Sequence, residues 1–225
     1  FMRNMNTEYI DTLRKEYIEN HKREQIREEL IHENHVEKRD VIGYHGREIL
    51  ELLQNADDAY QKSIDQGNRP SDDLIVEISY IDDCLKISNT GTFFDEDGIK
   101  AIVQGNNSPK KGKYIGNKGT GFRSILNWAS SVRIFSGEFA VEFSRSYAKE
   151  IFDTIKETPQ IAKQLQREKT LYIPMLAVPR NIPHDRPIDR TTIEVDVDPK
   201  KSQDEYSVRK QLETIDLRIL LFLPN

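Results

Sequence analysis

The chain has 225 residues, 36% apolar and 32% charged, with a formal net charge of −5. That length suits one large domain or a domain with an arm, and that composition excludes a disordered chain. The acidic balance argues against a general nucleic-acid coat, and a single cysteine, Cys84, rules out an intrachain disulfide and points to a reducing, cytoplasmic setting.

No apolar run approaches the ~18 residues of a membrane helix, and no signal peptide is visible. Phe1 precedes Met2, and the last residues, LRILLFLPN, are apolar. Both ends lead us to expect an N-terminal piece of a longer protein.

Residues 7–36 are helix-forming and heavily charged, with Tyr9, Leu13, Tyr17 and Ile18 as a thin apolar stripe. They read either as a solvated helix or as an arm that docks on a partner subunit. We place the arm at 1–36 and the main domain at 37–225. A long helix is expected from about His45 to Asp65, ended by Gly67 and Pro70. LIVEISYI and CLKISN read as strands joined at Asp82-Asp83, a hairpin. Phe94 to Val103 reads as a short helix.

Residues 104–121 carry five of the eleven glycines, together with Lys110, Lys111, Lys113 and Lys118. Long loops of this kind are usually functional or disordered. The lysines read as a solvated loop or as a lid over a ligand. A helix follows from Thr120 to about Ser130. VRIFS and FAVEFSR flank Gly137 as a second hairpin. Residues 146–168 read as helix, LYIPML as a strand, TTIEVDV as an alternating strand and 204–222 as a closing helix. Strands fall into hairpins rather than alternating singly with helices, so the fold class is α+β, a two-layer sandwich.

Along the long helix, Ile49, Leu52, Leu53, Ala56 and Tyr60 share one apolar stripe at 100° per residue. Glu51, Asn55, Asp58 and Ala59 share the adjoining one. Glu51 and Asn55 are i,i+4 neighbours whose heads can meet. An acid beside an amide is either an ordinary polar face or a place to hold a hydrated cation and a water.

ELLQNADDA, then SNTGTFFDEDG, then GNKGTGF, resembles the nucleotide-binding motif set of the superfamily of gyrase, the ninety-kilodalton heat-shock chaperone, histidine kinases and MutL. The sacsin-type branch is the nearest likeness, and RIFSGEF adds to it. The resemblance covers roughly residues 40–200. It implies the Bergerat fold, a mixed, mostly antiparallel sheet with helices on one face, and it implies binding and hydrolysis of ATP with Mg²⁺.

Residue by residue, the resemblance makes Glu51 the general base and Asn55 the Mg²⁺ ligand. Asp58 and Ala59 match pocket-lining positions, and Gly91 matches the glycine beside adenine. Gly116, Gly119 and Gly121 match the phosphate-binding glycines, with Lys118, Thr120 and Phe122 in the same motif, and Thr192 matches the threonine that helps bind adenine. If the loop closes as a lid, one of its lysines, or Arg123, would stand near the terminal phosphate. In the family the arm and lid close against a second subunit, which implies a homodimer whose downstream domains respond to the nucleotide.

Two positions depart from the wider family and match the sacsin-type pattern. Asn89 stands where many relatives have the aspartate that accepts from adenine, and Phe93 replaces the second glycine of that motif. An amide either accepts or donates, so Asn89 makes base recognition less strict.

Other motifs fail. There is no G-x-x-x-x-G-K-[ST], and Ser124 takes the place of the last glycine in G-x-G-x-x-G. His32 and His35 lie on a charged helix and read as solvated. Against the ATPase reading stand a non-hydrolysing, nucleotide-gated scaffold and a nucleic-acid-processing machine; a chaperone-like or antiviral-defence setting is expected from the look of the subfamily.

Overall fold

The computed structural model describes residues 5–23, 25–67, 74–105, 120–184 and 188–215. Three helices come first: α1 (Met5–Asn20), α2 (Ile26–Gly43) and α3 (Glu48–Asp65). A hairpin follows, β1 (Val76–Ile81) and β2 (Cys84–Asn89), then α4 (Glu96–Gln104) and the short α5 (Thr120–Arg123). A second hairpin, β3 (Ala129–Ser136) and β4 (Phe139–Ser144), leads into α6 (Arg145–Lys156) and α7 (Pro159–Leu165). The two-residue β5 (Arg180–Asn181), β6 (Thr191–Val197) and α8 (Val208–Thr214) complete the order.

Local chemistry accounts for the boundaries. Asp82 and Asp83 both take positive φ, +50° and +57°, the backbone that a two-residue hairpin of matching twist requires. Asp95 caps α4 by accepting from the Gly98 N–H at 2.8 Å, and Ser144 caps α6 from the Tyr147 N–H. The helix expected over 146–168 breaks in two because Pro159 cannot continue α6 and instead starts α7. LYIPML is not a strand; Met175–Ala177 is a 3₁₀ turn, set by Pro174. The expected closing helix is helical over α8 only, its part from 216 on lying outside the described residues.

The six strands form one sheet in the order β1-β2-β6-β3-β4-β5. Every pairing is antiparallel, so the parallel element of the expected mixed sheet is absent among the described residues. Alternation splits β6 between two faces. Ile193, Val195 and Val197 are buried with Leu85, Ile87 and Ile134 against Leu52 of α3 and Ile99 and Ile102 of α4. Thr192, Glu194 and Asp196 face the other way. There Arg133 donates to Glu194 at 3.0 Å and to both oxygens of Asp196 at 2.7 and 2.9 Å. The fold is therefore the expected α+β two-layer sandwich.

The segment read as an arm is not separate in this structure. Ile10 and Leu13 of α1 are buried in the main core, and Ile26 and Leu30 of α2 join a second cluster with α6 and α7. Asn34 of α2 donates to the Tyr172 carbonyl at 2.8 Å, and Asn181 donates to the Thr7 carbonyl at 3.0 Å. The boundary drawn at residue 36 falls inside α2. No helix among the described residues is long and apolar enough to cross a membrane.

Candidate functional site

α3 lies across the inner face of the sheet, and between it, β2, β6 and α4 opens a cleft of about 820 Å³, its mouth included. Leu52, Ile87, Ile102, Phe122 and Ile193 supply apolar walls. Asn55, Asp58, Asn89, Thr92 and Thr191 supply polar groups. A mostly apolar cavity with a few convergent polar atoms is the common make-up of a small-molecule site, the polar groups fixing orientation.

The stripe read from α3 is observed. Ile49, Leu52, Leu53 and Ala56 are buried, and Asn55, Asp58 and Ala59 turn to the cleft. Gly91 sits against this helix. Its φ is +117°, and a Cβ there would stand 2.8 Å from the Ala59 carbonyl carbon and the Tyr60 nitrogen. The next residue ties the loop to the helix: the Thr92 N–H donates to the Ala59 carbonyl at 2.9 Å. Asn89, buried at the end of β2, donates from Nδ2 to the Thr90 carbonyl at 2.8 Å.

Glu51 is one turn before Asn55 and is not part of the cleft wall. It lies directly under Gly121, where any Cβ would overlap its Oε2. Burial raises the Glu51 carboxyl above the ordinary range, opposed by the Arg47 guanidinium 3.7 Å away. A raised carboxyl is a stronger base than an ordinary glutamate. The cradle explains Gly121 without a ligand: the backbone at 121 approaches the Glu51 head too closely for a side chain.

Three expectations need correction or restriction. Thr192 does not reach the cleft; it pairs with Ser88 across the outer face at 2.9 Å, and Thr191 occupies the inner position, bonded to Ser136 at 2.6 Å. The alternation with Ile193 and Val195 contained that answer. Arg123 is buried and donates to the Ile102 and Val103 carbonyls at 3.1 and 3.2 Å, tying α5 to the end of α4 rather than reaching into the cleft. Gly116, Lys118 and Gly119, with the other lysines of 104–121, lie outside the described residues, and of Thr120 only the backbone, at the start of α5, is described.

The motif reading missed Lys62 and Asp95, which face each other at the cleft, Nζ to Oδ2 2.9 Å. Burial alone would raise the Asp95 carboxyl; the Lys62 ammonium and the Gly98 N–H outweigh it and hold it below the ordinary range. Asp95 lies within the quoted SNTGTFFDEDG but was assigned no role there, and Lys62, near the end of α3, belongs to no quoted motif. Among the described residues no group of three or more His, Cys, Asp or Glu is placed to hold a metal ion. No family model and no curated protein matches the chain.

Proposed function

We propose that this chain is a Mg²⁺-dependent ATP-binding module that hydrolyses ATP slowly and uses the nucleotide to switch the shape or self-association of a larger protein, chaperone-like or defence-related and cytoplasmic. One observation carries the reading. Segments far apart in sequence meet at one cleft: Asn55, Asp58 and Ala59 from α3, Asn89 from the end of β2, and Phe122 just after the glycine cluster.

In this reading Asn55 holds Mg²⁺ through its amide oxygen, and the ion, when bound, neutralises phosphate charge. A single protein ligand is enough for a cation that keeps several waters and takes oxygens from phosphates. Asn89 and Thr191 face the base. Glu51 orients a water and takes its proton, helped by the burial that raises its carboxyl.

A second reading, a nucleotide-gated scaffold without turnover, is favoured by one feature. Glu51 is covered by Gly121 and paired with Arg47 rather than lining the cleft. Hydrolysis would then require this contact to loosen. A nucleic-acid-processing role has no such observation behind it.

Calorimetry with ATP and Mg²⁺ and a turnover assay separate the readings. The ATPase reading expects Asn55→Ala to weaken Mg²⁺-dependent binding, and Glu51→Gln to keep binding while abolishing turnover. Wild-type binding without turnover would leave the scaffold. No binding by the wild-type chain would remove both.

A further inference from the structure

At the end of the cleft formed by β2 and the turn after it, Asn89, Thr92 and Phe93 are neutral, and two of them, Thr92 and Phe93, have no structural employment that accounts for them. Thr92 lines the cleft, and its Oγ1 is buried with no hydrogen-bond partner among the described residues. A buried hydroxyl left unpaired is costly, so it marks a place where a partner is expected. Its backbone is held by the bond to the Ala59 carbonyl, which aims the side chain.

Phe93 is the second group. It is 38% exposed although it lines an apolar cleft. Its seat is firm. Gly137, in the β3–β4 turn, leaves the space beneath it: a Cβ at 137 would lie 3.2 Å from Phe93 Cβ and Cγ. The next residue is pinned as well, because the Phe94 N–H donates to Ser136 Oγ at 2.9 Å. An aromatic ring held at its base and open at the cleft offers a stacking surface without further ordering.

We propose that Thr92 and Phe93 form the base-recognition end of the cleft, Phe93 stacking on a purine ring and the Thr92 hydroxyl bonding its edge. This rests on the nucleotide reading above. It adds a ligand class: purine nucleotides of both kinds, adenine and guanine. A hydroxyl donates or accepts as the ring edge demands, and a ring face stacks on every purine. Asn89 supports the same conclusion, since it carries no charge to fix one edge.

The test is calorimetry on the 225-residue chain with Mg²⁺ and three probes: ATP, GTP and inorganic tripolyphosphate. The variants are Phe93→Ala, Phe93→Leu, Phe93→Tyr and Thr92→Val, each checked by thermal denaturation. Phe93→Leu keeps an apolar group on Gly137 and so controls for packing. We expect wild type to bind ATP and GTP within about tenfold of each other, well inside the ~10⁴-fold rejection of a site built for one edge. Phe93→Ala and Phe93→Leu should weaken both by about tenfold, from the loss of stacking. Neither should change tripolyphosphate binding, and Phe93→Tyr should restore nucleotide affinity. Thr92→Val should change the ratio of ATP to GTP affinity.

Wild type that binds ATP, with Phe93→Ala and Phe93→Leu unchanged, overturns the stacking role and leaves the nucleotide reading standing. Wild type that binds ATP and rejects GTP overturns the relaxed base class in the same way. Wild type that binds neither nucleotide removes the nucleotide reading and this inference with it.

Discussion

At the scale of single residues, the β6 threonines and the glycines beside α3 give the sharpest tests. Thr191 faces the cleft beside Asn89, its register partner, and Thr192 faces the outer side. Thr191→Val should therefore weaken nucleotide binding several-fold and Thr192→Val should not, measured by calorimetry. Gly91 combines positive φ with backbone contact at 2.8 Å. Gly91→Ala should destabilise the fold by about 2 kcal/mol or more, seen in denaturant unfolding, because a strained backbone and a clash with α3 add. Glu51 carries a pH prediction. Burial raises its carboxyl and Arg47 lowers it. A base must be deprotonated, so turnover should fall as pH drops through a value above the ordinary 4.5 for glutamate. Removing the lowering charge with Arg47→Ala should move that acid limb to higher pH. A limb that stays in place would show that Glu51 is not the titrating group.

At the scale of elements, the elbow between α1 and α2 is held by a charged network. His21 is buried, with Nδ1 2.8 Å from the Tyr17 carbonyl and Nε2 3.0 Å from Glu33 Oε1. Both ring nitrogens face acceptors, so the imidazolium, which donates from both, suits the site. Burial alone lowers the His21 pKa; Glu33 and the Tyr17 carbonyl outweigh it, and the net direction is up from 6.5. A group raised on folding stabilises below its unfolded pKa and loses that contribution as pH rises through the folded value. His21→Gln should thus lower the melting temperature more at pH 6 than at pH 9, and an equal loss at both would refute the linkage. Leu30, fully buried between α2, α6 and α7, should cost about 2–5 kcal/mol on change to Ala.

For the whole molecule, the two-layer arrangement sets what closure would demand. α1 and α2 cover their own apolar stripes on this domain, with Ile10 and Leu30 at 0% exposure. A homodimer that closes through residues 1–36, as proposed for the switch, must then release or exchange those faces. Turnover per subunit should rise with protein concentration if a second chain completes the site, since excluding water and positioning the nucleophile account for several kcal/mol of barrier. A flat profile would place the whole active form in one chain.

The residues themselves determined the hairpins, the α3 stripes and the inward side of β6. Asp82-Asp83, the 3.6-residue spacing from Ile49 to Ala56 and the alternation in TTIEVDV are local patterns, and local backbone geometry obeys them. The misplacement of Thr192 came from motif matching where the alternation already pointed to Thr191. Other features were decided only by the tertiary structure. A thin apolar stripe on residues 7–36 shows which side is apolar and not which surface covers it, so the docking of α1 and α2 on their own domain was beyond reach. Arg123 follows a glycine motif, yet its guanidinium turns to the Ile102 and Val103 carbonyls because a buried cation takes the acceptors within its reach. The Glu51–Gly121 contact likewise joins residues seventy positions apart. Spacing along the chain carries no information about such an approach; it arises when α3 and α5 pack, and close packing then settles which atoms meet.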